Sequence, residues 1–222
     1  MPSPHARRTH IKPLARVADA LPEPLDVDLD AWDAWSPHEA ARHLEALTAP
    51  WYVTAGWALD LFLGVQTREH DDLEIGVPEH RFAEVREVLS GFELVVVGDG
   101  RAWALSEESL ATHRQTWVRE PGGPWRVDVM REPWDGDTWV FRRRDATIRL
   151  HPASLISRTA DGIPYVQPEV VLLFKAKVVR PKDELDFAAV LPHLDGNRRL
   201  WLRDALTLVH PGHVWLGSLE TD

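Results

Sequence analysis

Residues 72–77 (DLEIGV) alternate acidic and apolar side chains, and this period of two restricts the fold more than any other feature of the chain. Successive side chains of a β-strand point to opposite faces, so Asp72 and Glu74 share one face while the apolar residues turn to the core. Residues 126–129 (RVDV) repeat the pattern, with Asp128 between two valines. We therefore predict a sheet in which a neighbouring strand brings Asp128 beside the first two acids.

Three carboxylates at one place favour a metal site. Left bare they would repel one another, and a divalent cation relieves that repulsion. Mg²⁺ is held in proteins through a few carboxylates with water and substrate phosphates, so Asp72, Glu74 and Asp128 are the expected ligands. Two such ions would activate an attacking oxygen and neutralise a leaving pyrophosphate. Asp128 could also accept the proton of an acceptor hydroxyl as the catalytic residue. A solvated strand face is the alternative that stays open.

The order of patterns along the chain predicts an α/β (α+β) fold, with an α/β part over residues 25–150, a mainly helical region over 151–222 and a join near residues 151–167. Residues 101–150 have the pattern of a stretch rich in β structure. Residues 1–24 are rich in Pro and Arg and are expected to form a mobile arm. Helices are predicted at 36–47, 57–63, 79–89, 168–179, 183–194 and 198–209. Strands are predicted at 51–54, 73–77 and 92–97, in a hairpin of 116–120 with 125–130, and at 138–141 and 146–150.

Residues 54–57 (TAGW) join a predicted strand to a predicted helix. The free N–H groups at a helix N-terminus suit an anion, so we assign Ala55, Gly56 and Trp57 to nucleotide binding. The alternative is that Gly56 only permits a tight turn. Trp57 could stack on a base, although most of the eleven Trp residues are expected to lie in the core.

Two basic residues are candidates for phosphate binding. Arg68 could hold a phosphate through two N–H groups, or it could pair with Glu69 or Asp71. Only four of the 25 basic residues are Lys, and three of those four lie within residues 175–182. Lys175 follows three apolar residues, and we expect it to reach a triphosphate. We expect a structural role for the histidine at position 70 and local ion pairs for the acids at 183 and 186.

Residues 55–74 (AGWALDLFLGVQTREHDDLE) resemble the antibiotic nucleotidyltransferases of the DNA polymerase beta superfamily, in particular the aminoglycoside 2″-adenylyltransferases and the lincosamide nucleotidyltransferases. The shared pattern is Gly-Gly-Trp, a short helix, Gly, Thr/Gln-Arg-x-His-x-Asp-x-Asp, and a later Asp on a strand. The resemblance implies a nucleotidyltransferase-type mixed sheet and a helical C-terminal part. It also implies two Mg²⁺ ions and transfer of AMP or NMP from ATP or another NTP to a hydroxyl of a small molecule. Ala55 and Glu74 depart from the pattern, which has Gly and Asp at these positions.

Charge and composition restrict the partners. A net charge of −10 disfavours nucleic acid and would attract a cationic acceptor such as an aminoglycoside. The chain has no cysteine, which excludes disulfides and cysteine nucleophiles. It shows no apolar run long enough for a membrane span and no secretory signal, so we expect a cytoplasmic protein without a membrane partner. Two alternatives stay open, a toxin-type transferase acting on a protein or tRNA and a catalytically silent nucleotide-binding relative. The oligomeric state is also open.

Overall fold

The computed structural model describes residues 23–143 and 148–220. The predicted arm lies almost wholly outside these residues. The described chain forms the helices α1 (Pro37–His43), α2 (Ala55–Leu63), α3 (Phe82–Val88), α4 (Glu107–Thr112), α5 (Pro152–Leu155), α6 (Pro168–Lys175), α7 (Pro181–Val190), α8 (Gly196–Val209) and α9 (Leu216–Leu219). Its strands are β1 (Tyr52–Val53), β2 (Glu74–Pro78), β3 (Glu93–Gly98), β4 (Arg101–Ala104), β5 (Gln115–Arg119), β6 (Trp125–Glu132), β7 (Trp134–Asp135), β8 (Thr138–Val140), β9 (Arg149–Leu150), β10 (Ile156–Arg158) and β11 (Pro164–Val166).

Eight of these strands form one mixed sheet in the order β10-β11-β1-β2-β6-β5-β3-β4. The pairs β1–β11 and β2–β6 are parallel, and the other neighbours are antiparallel. The predicted hairpin is confirmed, since β5 and β6 pair directly. Strands β7, β8 and β9 form a separate small sheet. The predicted fold class, a mixed sheet with helices, is therefore confirmed.

The alternating pattern around β2 places its apolar side chains in the core, as predicted. Leu73, Ile75 and Val77 are completely buried, as are Val127 and Val129 on β6. Each buried side chain of this size stabilises the fold by about 1.5–3 kcal/mol. A register slip of one residue would turn these side chains outward and the acids inward. Burial of the apolar face thus sets the register and holds the acids on the opposite face.

Local signals at helix ends agree with the structure, while helix lengths agree less well. Ser36 caps α1 through a complete capping box with Glu39, but the helix ends at His43 because Leu44 leaves the helical conformation. Gly64 ends α2 in the left-handed region, with φ 71°, as glycine does at many helix ends. The helix predicted from residue 79 begins as a 3-10 turn, Glu79–Arg81, and becomes α3 at Phe82.

Several elements were not predicted or lie elsewhere than expected. Strand β4 and helix α4 fall in a stretch that we interpreted only as rich in β structure. Strands β10 and β11, from the join near residues 151–167, extend the main sheet beside β1. The strand predicted at 146–150 is seen only as β9, because residues 144–147 lie outside the described part. Helices α6, α7 and α8 confirm the helical character after residue 168. None of the helices in the described ranges has the length and hydropathy needed to cross a membrane.

Candidate active site

The central parallel pair of strands brings two of the predicted acids together. Glu74 on β2 is the register partner of Asp128 on β6, and Asp72 lies just before β2 on the same face. Asp128 is only 2% exposed, whereas Asp72 and Glu74 are half-buried. Gln115 Nε2 donates a hydrogen bond to Asp128 Oδ2 at 2.6 Å. The other oxygen, Oδ1, is buried and accepts no hydrogen bond from the residues described.

The carboxylates disturb one another electrostatically. Burial raises the pKa of Asp128 well above its usual range, and the neighbouring Glu74 raises it further. Burial also raises the pKa of Glu74, and Asp72 adds to this shift. Within residues 23–143 and 148–220, no three His, Asp or Glu side chains are arranged closely enough to hold a metal ion. The acids therefore share a face and repel one another without forming a closed ligand set.

The start of α2 forms a tight turn beside these acids. Thr54 precedes the helix, and its side chain makes no capping hydrogen bond. A Cβ on Gly56 would lie 2.6 Å from His70 Cε1 and would also collide with the Arg68 guanidinium. Glycine is needed here because the two side chains approach the backbone closely. Ala55 has φ 56°, a conformation that disfavours any residue with a Cβ.

A buried ion-pair network holds both candidate cations. Lys175 Nζ lies 2.8 Å from a carboxylate oxygen of Asp183 and 2.8 Å from one of Asp186. Arg68 Nε lies 3.2 Å from Asp186 Oδ1, and Arg180 Nε lies 2.8 Å from Asp183 Oδ2. Arg68 does not form the alternative ion pair with Glu69 or Asp71. Its guanidinium contacts Glu69 through the backbone carbonyl oxygen. The local ion pair expected for Asp183 is confirmed, since it pairs with Arg180 three residues before it, whereas Asp186 pairs with Arg68 and Lys175.

His70 has the structural role that we expected, through a partner that the sequence analysis missed. Its Nε2 lies 2.6 Å from Asp60 Oδ2, and both side chains are about 3% exposed. Thr67 Oγ1 donates to the other oxygen of Asp60 at 2.6 Å. Trp57 stacks on the His70 ring at 4.5 Å between centroids. An aspartate within the apolar stretch 57–63 was the available signal, because a buried carboxylate needs a partner.

The acids and the turn border two adjoining cavities. The smaller, of about 80 Å³, is lined by Gly56, Trp57, Arg68 and Asp72 among others. The larger cleft, of about 480 Å³, opens on the other side of Glu74. Ala55, Glu74 and Lys175 line both cavities, and Asp128 lies beside Glu74 without lining either. The cleft also contains residues that the sequence analysis did not single out: Gln115, Met130, Glu132, Arg142, Arg143, Val171, Phe174 and Val178.

The chain resembles known adenylyltransferases in sequence over part of its length and in fold. Residues 38–132 match the family model of the aminoglycoside-2''-adenylyltransferases. The solution structure of the antibiotic-resistance factor ANT(2'')-Ia aligns with a TM-score of 0.52 over 77% of this chain and 89% of that chain, at 16% identity. The crystal structure of ANT(2")-Ia in complex with adenylyl-2"-tobramycin aligns with a TM-score of 0.51 over 77% and 94%, also at 16% identity. No curated protein matches the sequence. At such low identity, the structural likeness shows a shared fold.

Proposed function

We propose that this chain is a nucleotidyltransferase of the antibiotic nucleotidyltransferase family, whose aminoglycoside-2''-adenylyltransferase model matches residues 38–132. In this proposal it transfers AMP or another NMP from an NTP to a hydroxyl of a small molecule, with Mg²⁺ held by Asp72, Glu74 and Asp128. The observation that carries the proposal is the register pairing of Glu74 with Asp128 beside the turn at Gly56. Acids and anion-binding groups then lie on either side of one reaction centre.

The acids offer the hard oxygen atoms that a divalent cation takes as ligands, although they are not drawn into a closed set. Asp128 Oδ1 is buried without a hydrogen-bond partner among the described residues, and such an oxygen is costly unless a ligand satisfies it. Glu74 lies between Asp72 and Asp128, where the repulsion is greatest. When bound, Mg²⁺ would polarise the reacting oxygens and neutralise the leaving pyrophosphate.

The nucleotide phosphates fit the smaller cavity. The free N–H groups at the start of α2 can donate hydrogen bonds to an anion, and Arg68 lies against Gly56. Lys175 lines the same cavity and is held by Asp183 and Asp186. Both cations are thereby fixed in place before the nucleotide arrives, which lowers the entropy cost of binding it. In this proposal Ala55, Gly56, Trp57, Arg68 and Lys175 bind the nucleotide.

Asp128 is the proposed base of the transfer. The acceptor oxygen attacks the α-phosphorus, the bond to the bridging oxygen breaks, and pyrophosphate leaves. Asp128 accepts the hydroxyl proton, and Gln115 Nε2, which donates to Oδ2, holds its carboxylate in place. Glu74 is one methylene longer than the aspartate of the related pattern, and a displacement of about 1 Å at a reacting group can lower a rate about a hundredfold.

Titration calorimetry with Mg-ATP tests the metal and nucleotide assignments. We expect Asp72→Asn to weaken binding of Mg-ATP strongly, because the substitution removes a charged metal ligand. The matched control is Asp204→Asn on α8, which removes an exposed carboxylate paired only with Arg203. Equal binding by Asp72→Asn and the wild type would rule out the proposed metal site. Release of pyrophosphate with any hydroxylated acceptor would exclude a catalytically silent relative.

A second candidate acceptor is a tRNA, and the basic side chains of the cleft favour it. Arg142, Arg143 and Lys177 line the larger cleft, although the chain as a whole is acidic. Binding through phosphate contacts weakens steeply as the salt concentration rises. A gel-shift titration of tRNA at several salt concentrations tests this candidate, and an absence of binding at low salt would eliminate it.

A further inference from the structure

We propose that the acceptor is a neutral or anionic hydroxylated molecule with an apolar portion, and that polycationic acceptors are disfavoured. The proposal rests on the proposed function and names the class of molecule that its acceptor site takes. Four features carry it: the position of the acceptor wall, the pairing of its carboxylates, its unpaired cations and its apolar side chains. We define the acceptor wall as Gln115, Met130, Glu132, Arg142 and Arg143, all of which line the larger cleft.

The position of Asp128 determines where the acceptor lies. The acceptor hydroxyl must come within hydrogen-bond reach of Asp128. Side chains of a strand alternate, so the face that carries Asp128 continues along β6 through Met130 and Glu132. Gln115 on β5 lies opposite Met130 in the register. The smaller cavity beyond Glu74 is taken by the phosphates, so the acceptor occupies the larger cleft against the acceptor wall.

The carboxylates of this cleft are already neutralised. Glu132 is 4% exposed and pairs with Arg142. Asp183 is completely buried between Lys175 and Arg180. The remaining acid, at position 74, belongs to the proposed metal site. An ammonium group of an acceptor would therefore find no carboxylate of its own among the cleft residues described.

Glu132 offers little to an ammonium group of the acceptor. Glu132 Oε2 is buried and accepts no hydrogen bond from the described residues. Burial raises the pKa of Glu132, which weakens it as a partner for a cation. Arg142 already pairs with it, and the charge of Arg143 also acts on it. An ammonium of the acceptor would therefore gain little attraction from the buried Glu132, and the two arginines beside it would repel the ammonium.

Two cations of the cleft have no carboxylate partner in the described part of the chain. Arg143 is half-buried and donates from Nη1 to the carbonyl oxygen of Phe174 at 2.6 Å. Burial lowers the pKa of Arg143, and the neighbouring charge of Arg142 lowers it further. Lys177 is exposed at the rim. A carboxylate or phosphate on the acceptor would relieve the repulsion between the two guanidinium groups.

Apolar side chains complete the cleft. Met130 lies on its floor, and Val171 and Phe174 of α6 cover it from the other side, with Val178 at the rim. Burying an apolar group against them contributes about 25 cal/mol per Å². The acceptor therefore carries an apolar portion beside its reactive hydroxyl.

The net charge of −10 does not contradict this inference. Exposed charges farther than about 8 Å are largely screened at physiological salt. The groups that line the cleft therefore decide which acceptor binds. Their local charge does not favour the cationic acceptor that we expected from the net charge.

Three phenyl β-glucosides that differ only at C6 test the inference. One carries the natural hydroxymethyl group, one a carboxylate and one an aminomethyl group. Calorimetry measures their binding to the protein saturated with Mg²⁺ and a non-hydrolysable ATP analogue. We expect the carboxylate to bind at least tenfold more tightly than the ammonium compound, with the neutral glucoside between them. Charges in contact at an effective dielectric constant near 20 would give a larger ratio, and the cost of desolvating them offsets most of it. Arg143→Glu should reverse the order, while Arg101→Glu, on edge strand β4 far from the cleft, should preserve it.

The tightest binding by the ammonium compound would overturn the inference, and so would equal binding or no binding by all three. An unchanged order in Arg143→Glu would also contradict it. Failure of the proposed function is seen separately, because the Mg-ATP titration needs no acceptor. If Mg-ATP binds in an Asp72-dependent way and the ammonium compound still binds best, only the inference about the acceptor fails.

Discussion

Replacing Ala55 by glycine should stabilise the protein, although glycine normally weakens a helix. Ala55 is the first residue of α2 and has φ 56°. In the left-handed region a Cβ crowds the following carbonyl oxygen, at a cost of about 1–2 kcal/mol. Glycine removes this crowding but gives the unfolded chain more freedom, which offsets about 0.4–1 kcal/mol of the gain. We expect a net gain of about 0.5–1 kcal/mol in the free energy of unfolding.

Urea denaturation followed by tryptophan fluorescence measures this difference, and a thermal melt should show Tm raised by about 1–3 °C in a chain of this size. The matched control is Ala83→Gly, the same substitution at an exposed position of α3, where φ is not positive. The control should lose about 0.5–1 kcal/mol, as glycine does within helices. If Ala55→Gly loses as much stability as Ala83→Gly, the inferred strain at Ala55 does not exist.

Three further substitutions test other parts of the structure. Gly56→Ala should lower the rate of nucleotidyl transfer about a hundredfold, because the added Cβ would displace Arg68. Steady-state kinetics measures this rate, and an unchanged rate would show that the approach of Arg68 to Gly56 is unimportant. Gly76→Ala should lower the free energy of unfolding by about 1–3 kcal/mol, because a Cβ would lie 2.5 Å from Tyr52 Cζ; an unchanged urea midpoint would contradict this. Although burial alone would raise it, hydrogen bonds from the Arg and Lys partners hold the pKa of Asp183 well below its usual range. A group with a depressed folded-state pKa loses its contribution as the pH falls below the unfolded value, about 4. Asp183→Asn should therefore flatten the loss of stability below about pH 4, and parallel pH profiles of the two proteins would refute this.

The sequence predicted features that depend on neighbouring residues. The capping box at Ser36 and the end of α2 at Gly64 were visible because the groups that form them are close together in the chain. The alternation around Asp72 and Asp128 predicted the face of each strand, because burial rewards one register only. The helix lengths were less predictable, since the packing around each helix decides where it stops.

The part of the candidate site that contains Arg68 and Lys175 was predictable only in part. Arg68 and Lys175 were identified by their residue type and surroundings, but the contact of Arg68 with Asp186 joins residues 118 positions apart. No local pattern distinguishes that carboxylate from a solvated one. The partner of His70 was missed for a similar reason, since Asp60 lies ten positions before it and meets it only in the folded chain.

The sequence by itself determined the α/β character of the fold, the acidic faces of two strands and the glycine turn before α2, because each follows from interactions within a few residues. Only the tertiary structure decided that β2 and β6 pair in parallel, which sets Glu74 beside Asp128. It also decided that Arg142 and Arg143 enter the cleft and that its carboxylates are already paired. Electrostatic partners are set by distance in the folded structure, and the separation of two residues along the chain carries almost no information about that distance.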